Sequence, residues 1–148
     1  MQQIFAELPP YYSDEIKEQL IRSVDLEYML PNLDNPDYQR HQVKKADGQV
    51  VGFGNGRMRA FDGFDFPKVG YIPWIGVAPS ERGKGLGKRI VSALESGFRE
   101  QGAPLSVAFI KDANSSSIRL FGESGYTVDS RIPSFDGGGG KMYSKPLV

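Results

Sequence analysis

Two periods of apolar positions alternate along this chain and mark out its elements. Ile16, Leu20 and Val24, with Tyr28 next in the series, recur every four residues and form one apolar stripe, the signature of an amphipathic helix. Ser13 stands before it as a cap, and Asp14 and Glu15 suit its first turn. Pro31 and the Asn-Leu-Asp-Asn-Pro stretch end it, so a helix is expected over about residues 14–29. The period then shortens. Residues 40–45 read as a strand, Asp47-Gly48 as a hairpin turn, and residues 50–61 as the partner strand. Glycines at 52, 54 and 56 thin one face of that partner. A loop over residues 62–68 carries Phe64 and Phe66, and residues 69–77 form the next strand with Pro73 in its middle. Proline cannot donate to a ladder, so Pro73 marks a bulge.

The longer period returns at Leu86, Ile90, Leu94 and Phe98, a second amphipathic helix that Gly102 and Pro104 stop. Residues 105–110 are unbroken apolar sequence, a buried strand. Asn114 caps a short helix through Glu123 that Gly125 terminates. Residues 126–132 and 141–147 are the last strands, joined by a loop holding Asp136 and four glycines. Helix, three strands, helix, strand, helix and two strands make an α/β chain whose helices lie on a sheet. At 148 residues it is one domain's worth, residues 1–148.

Composition narrows the chemistry. There is no cysteine, so disulfides, thiolate metal sites and a cysteine nucleophile are excluded. The N-terminus lacks the basic start and apolar run of a signal peptide. No apolar run approaches transmembrane length, and a cytoplasmic protein without a membrane partner is expected. The net charge is zero, yet residues 1–37 hold eight acidic and two basic side chains, a net of −6, leaving +6 elsewhere. That acidic segment is either a solvated helix face or an attractor for a cationic substrate. The basic residues elsewhere are scattered, so no nucleic acid partner is expected.

The densest signal is Arg82-Gly83-Lys84-Gly85-Leu86-Gly87, set between a strand and a helix and preceded by Val77-Ala78-Pro79. Glycines at alternate positions bare a helix N-terminus, whose unpaired N–H groups and positive dipole end seat a phosphate. The P-loop pattern fails, because Arg82 stands where its first glycine belongs and Arg89 where its Ser or Thr belongs. The dinucleotide fingerprint fails at Lys88, and no acidic residue follows near positions 106–108.

The pattern Arg-x-x-Gly-x-Gly after Val-x-Pro resembles the acyl-CoA pyrophosphate loop of the GNAT N-acetyltransferase superfamily. A second segment, Asn114-Ser-Ser-Ser-Ile-Arg-Leu-Phe-Gly-Glu-Ser-Gly-Tyr126, is similar to the family's Asn-x-x-Ala/Ser-x-x-Leu-Tyr-x-x-x-Gly-Phe and begins 27 residues after Gly87. The resemblance covers about residues 43–147 and is strongest over 69–126. It implies a mixed, splayed β-sheet with helices on both faces, the family's first strand being reduced to about residues 3–6 or absent. It also implies acetyl-CoA as acyl donor, no metal, and a primary amine as acceptor, attacked directly in a ternary complex. Ile75, Gly76 and Val77 would pair with the pantetheine arm. The backbone of Arg82, Gly83, Lys84, Gly85, Leu86, Gly87 and Lys88 would hold the pyrophosphate, and Asn114 and Phe121 would complete the donor site. A backbone donor near Val77 would polarise the thioester carbonyl.

Two departures stand out. Phe121 aligns with the family's usual tyrosine and has no proton for the departing thiolate. A thiol with a pKa of about 8.5 leaves unprotonated near pH 7 at a penalty of roughly 2 kcal/mol. Tyr126 reads as core, and Tyr143 or Ser117 could substitute as the acid. Many family members carry a carboxylate on the strand before the loop; here Tyr71, Ile72, Pro73 and Trp74 stand there. Deprotonating a lysine-like amine costs about 4.6 kcal/mol at pH 7, an α-amine of pKa near 8 about 1.4. Asp62 and Asp65 are the nearest carboxylates along the chain and read otherwise as solvated turn residues. His41, the only histidine, has a suitable pKa for base work but reads equally as structural. Trp74 and Tyr71 line the acceptor cleft or pack in the core. The loop at Asp136 is a lid or a plain hairpin. A CoA-binding module without turnover remains the alternative, and monomer and homodimer both stay open.

Overall fold

A computed structural model describes residues 8–22, 35–63, 68–134 and 138–148. The expected continuation of the first helix to Met29, the strand near residues 3–6, Phe64, Asp65, Phe66 and Asp136 lie outside them. Among the described residues, three α-helices, α1 (Asp14–Arg22), α2 (Leu86–Glu100) and α3 (Ser115–Glu123), accompany six strands: β1 (Gln39–Lys44), β2 (Val50–Arg59), β3 (Val69–Val77), β4 (Leu105–Lys111), β5 (Thr127–Val128) and β6 (Gly140–Pro146). They form one sheet in the order β1-β2-β3-β4-β6-β5. The β3–β4 pair is parallel and the other pairs are antiparallel.

The β1–β2 hairpin turns where Gly48 takes φ +90°, with the Gln49 N–H donating to Asp47 Oδ1 at 2.9 Å. Along β2 the glycines face α2, and they are bare because that helix lies directly on them. A Cβ at Gly54 would stand 2.5 Å from Ile90 Cγ2, and one at Gly56 2.7 Å from Phe98 Cζ. Leu86, Ile90, Val91, Leu94 and Phe98 fill this face. Both α2 and α3 end in the same left-handed glycine cap. Ala103 N–H reaches Phe98 O across Gly102, and Tyr126 N–H reaches Phe121 O across Gly125.

The opposite face receives α1. Ser13 Oγ accepts from Ile16 N–H at 3.2 Å, and Ile16 and Leu20 are fully buried against Val50 and Phe53. Helices therefore cover both faces. Behind α2, a buried polar chain joins the helix to the sheet. Tyr126 Oη donates to Glu95 Oε2 (2.8 Å), and Lys145 Nζ donates to Glu95 Oε1 (3.0 Å). The phenol's single proton is thereby committed, so Ser106 Oγ, 2.6 Å away, donates to the phenol oxygen. Burial raises the Tyr126 pKa, and the ring is a core member, in line with the reading of its sequence.

The strand expected over residues 126–132 is paired only at Thr127–Val128. Asp129 ends it. Its carboxylate accepts from Arg131 N–H (3.1 Å), Arg131 Nε (2.9 Å) and Ser144 Oγ (2.7 Å), turning the chain on itself. Hydrogen bonds from Arg131 hold the Asp129 pKa down at about 2.

The sheet opens at its centre. Strands β3 and β4 pair only at Gly70–Ser106 and Tyr71–Val107, although they run on to Val77 and Lys111. Pro73 lies where they part. Trp74 faces Asn55 and Tyr71 faces Arg57, so Ile72 and Pro73 together oppose the single residue Gly56. That bulge bends β3 away from its parallel neighbour.

Candidate active site

The opening between β3 and β4 continues into the glycine loop as one cavity of about 1050 Å³. Residues 72–77 of β3 form one wall and residues 108–111 of β4 the other. The floor at one end is the loop and the start of α2; α3 contributes Ser117, Leu120 and Phe121.

The β3 wall presents free strand edge. Ala78 N–H donates to Val51 O at 2.8 Å, so residues 76 and 78 point their backbone groups toward β2. By alternation Ile75 and Val77 point theirs into the opening. Val77 O is taken by Gln19 Nε2 (2.8 Å) and Arg82 Nε (3.3 Å). The N–H of Val77 and both backbone groups of Ile75 stay on the cavity side, an edge suited to an extended amide-bearing ligand.

At the other end, the chain passes through a 3-10 turn (Pro79–Glu81) into Gly83 (φ +82°) and Gly85 (φ +77°). Nothing lies within 4 Å of a Cβ built at either glycine, so the left-handed backbone, not crowding, requires glycine there. The first helical bond of α2 runs from Arg89 N–H to Gly85 O (3.1 Å). The N–H groups of Leu86, Gly87 and Lys88 therefore precede the helical ladder and aim at the loop. Positive dipole, bare backbone and an adjoining channel fit a pyrophosphate carried on a long arm.

The cations around this seat are held by neighbours. Lys84 Nζ pairs with Glu81, turning away from the cavity, which it does not line. Lys88 Nζ meets Glu123 Oε2 at 3.0 Å, and this contact is the first cause of a lowered Glu123 pKa. Asn114 Oδ1 caps α3 by accepting from Ser117 N–H (3.1 Å).

Every other residue expected at the donor site lines the cavity: Ile75, Gly76, Val77, Arg82, Gly83, Gly85, Leu86, Gly87, Lys88, Asn114 and Phe121. Phe121 is buried, its ring edge-on to Tyr126 at 4.9 Å. The catalytic candidates fall elsewhere. Asp62 is an exposed turn residue after β2, and Tyr143 packs against the α2-side core; neither lines the cavity. His41 sits opposite Gly54 on β1, its Nε2 3.1 Å from Gln39 Oε1, with burial lowering its pKa. Trp74 lines the cavity, whereas Tyr71 is buried among Phe61, Val69 and Val107. The carboxylates lining the cavity among the described residues are Glu81 and Glu123, both ion-paired.

Gln19 and Arg22 of α1 also line the cavity and were not expected there. Their one signal in the sequence is position: Gln19 adjoins Leu20 on the helix that the apolar stripe defines. A polar residue beside a stripe is ordinary, and only its contact with Val77 singles it out.

With this geometry in view, residues 1–126 match the model of the Acetyltransferase (GNAT) family, and the chain belongs to that family. It is 36% identical over 92 residues to an L-methionine sulfoximine/L-methionine sulfone acetyltransferase of Salmonella typhimurium, covering 62% of this chain and 52% of that protein. It is 33% identical over 92 residues to the L-amino acid N-acyltransferase MnaT of Escherichia coli, with the same coverage. The chain thus spans about half the length of the curated relatives it matches. Among solved structures, the PaiA N-acetyltransferase of Thermoplasma acidophilum in complex with coenzyme A superposes with a TM-score of 0.62 at 19% identity, covering 98% of this chain and 84% of that one. That likeness confirms the fold. Among the described residues, no helix is long and apolar enough to cross a membrane.

Proposed function

We propose that this chain transfers an acetyl group from acetyl-CoA to the amine of an amino acid or similar small molecule, by direct attack within a ternary complex. The observation that carries this reading is the single cavity joining the bared start of α2 to the free edge of β3. A pyrophosphate at one end and an amide-bearing arm along the other require that continuity. Acetyl-CoA would supply an activated thioester. The N–H groups of Leu86, Gly87 and Lys88 hold its phosphates, Ile75 and Val77 receive the arm, and the Val77 N–H polarises the carbonyl. The acceptor nitrogen forms the amide bond as the carbon–sulfur bond breaks, and its surplus proton passes to water. Proximity and orientation supply most of the acceleration.

Two observations support an amino acid as the acceptor. No unpaired carboxylate lines the cavity among the described residues. An amine that sheds its proton more readily than a lysine side chain suits such a site. Both relatives named above act, by name, on amino acids or their analogues.

Phe121 favours one rival, binding without turnover. Incubation with acetyl-CoA and a panel of amino acids, peptides and polyamines, followed by free thiol, separates the two. Amine-dependent CoA release supports transfer; tight CoA binding with no release for any amine supports the rival.

A further inference from the structure

Resting on the transferase reading, we infer that Arg22 of α1 and Lys111 of β4 form a subsite that takes the carboxylate of the acceptor, with the rings of Trp74 and Phe109 as its apolar walls. All four residues line the cavity and none of them is buried, so each can meet a molecule bound there. They also share one face of the sheet. Ala108 and Ile110 join the core on the α2 side. Side chains alternate along a strand, so Phe109 and Lys111 project from the opposite face, where Lys111 Nζ stands 5.3 Å from the centre of the Phe109 ring. Trp74 projects from that face too. Its ring lies 5.8 Å from that of Phe53 in the core beneath α1. Together with Gln19 it covers Gly76, where a Cβ would stand 2.5 Å from Trp74 Cη2 and 2.6 Å from Gln19 Oε1.

Their level in the fold ties them to the reaction. Helix α1 passes β3 in reverse: Glu15 meets Ser80, Gln19 meets Val77, and Arg22, almost one turn further on, lies toward Trp74. Across the opening, the parallel register carried on from Tyr71–Val107 brings Lys111 about level with Ile75. One cation therefore stands on each side of residues 74–76, next to the Val77 N–H assigned to the thioester carbonyl. Among the described residues, neither is tightly held by a carboxylate. Arg22 meets Glu18 at 3.9 Å with both side chains largely exposed, a pairing that water weakens. Lys111 Nζ donates to Gly138 O at 3.0 Å, which leaves two of its three N–H groups for a ligand. The adjoining Asp112 is taken up by Lys141. The carboxylates lining the cavity among the described residues, Glu81 and Glu123, are paired with Lys84 and Lys88 of the phosphate seat. Positive charge is thus left over on the α1 face, and an anionic group suits it. Arg22 offers a planar fork and Lys111 a point charge. An α-amino acid brings a carboxylate to them one carbon from its attacking nitrogen; a simple alkylamine does not.

The test is calorimetric titration of CoA-saturated protein with N-acetyl-L-methionine and with its C-terminal amide, beside turnover of L-methionine and L-methioninamide. Methionine is the probe because a thioether packs well against aromatic rings. The acid is expected to bind about tenfold more tightly than the amide, the measure of charge-assisted hydrogen bonds. Arg22→Gln and Lys111→Gln should each reduce that ratio, and the double substitution should bring it close to one. Both should raise the KM for L-methionine more than they lower kcat. Neither side chain is buried, so thermal melts are expected to show the variants folded. Equal affinity for acid and amide, binding of neither, or a preference that survives the double substitution overturns the subsite. Turnover without carboxylate preference leaves the transferase reading intact and removes this one. Carboxylate-selective binding without turnover does the reverse.

Discussion

Gln19 of α1 donates through Nε2 to the carbonyl of Val77 at 2.8 Å, tying the helix to the last residue of β3. One turn earlier, Glu15 Oε2 accepts from Ser80 N–H at 3.1 Å. The helix is thus fastened at two points, to the end of β3 and to the 3-10 turn that follows it. Because Val77 carries the N–H assigned to the carbonyl, Gln19 acts as a positioning residue. Gln19→Leu should lose about 1 kcal/mol of hydrogen bonding and lower kcat several-fold, with a smaller change in the KM for acetyl-CoA. Steady-state kinetics on both substrates checks the split. A change in stability with kcat intact would reduce Gln19 to a structural tie.

Phe121 invites the reverse experiment. Its ring is buried and lines the cavity, at the position where the resemblance expects a tyrosine. Supplying a proton to the departing thiolate removes up to roughly 2 kcal/mol from the barrier, so Phe121→Tyr should raise kcat by up to about thirtyfold. The increase should show in the rate of thiol release at saturating acceptor. An unchanged kcat would mean that sulfur departure does not limit the reaction.

Asp129 gives the fold a dependence on acidity. Its folded pKa, about 2, lies below the ordinary value of 3.8. The stabilisation is therefore complete above about pH 4 and fades as the pH falls toward 2. Arg131 is largely exposed, so solvent screens the pair and the contribution at neutral pH is on the order of 1 kcal/mol. Asp129→Asn should lower the melting temperature at pH 7 and flatten its decline between pH 4 and 2. Thermal melts across that range read both effects.

Gly54 tests the seat of α2 on the sheet. A side chain there would collide with Ile90, and overpacking of this kind costs typically about 1–3 kcal/mol. Gly54→Val should lower stability by that amount, measured by urea unfolding, and shift the start of α2 enough to weaken CoA binding.

Much of this architecture was legible in the chain because local rules and tertiary demands agree. The apolar stripe of α2, the caps at Ser13 and Asn114 and the stops at Gly102 and Gly125 each state their role locally. The thin face at Gly52, Gly54 and Gly56 was readable too, but not the helix that fills it, since spacing does not name a partner. The early end of β5 was hidden because Asp129 diverts the backbone through side-chain bonds to Arg131 and Ser144. The donor half of the cavity was readable because a phosphate seat is built from contiguous backbone. The rest of the cavity draws single residues from α1 and β3. Gln19 acquires meaning only when those elements meet.

Seating of acetyl-CoA by the glycine loop and the β3 edge together underlies every step of the proposed transfer. Isothermal titration of the chain with acetyl-CoA, beside the Gly85→Val variant, addresses it most directly. At φ +77° a β-branched residue costs on the order of 1–2 kcal/mol and displaces the N–H groups at the start of α2. Binding of one acetyl-CoA per chain, lost in the folded variant, is the expected result. No binding by the native chain, or equal affinity in Gly85→Val, would contradict the account.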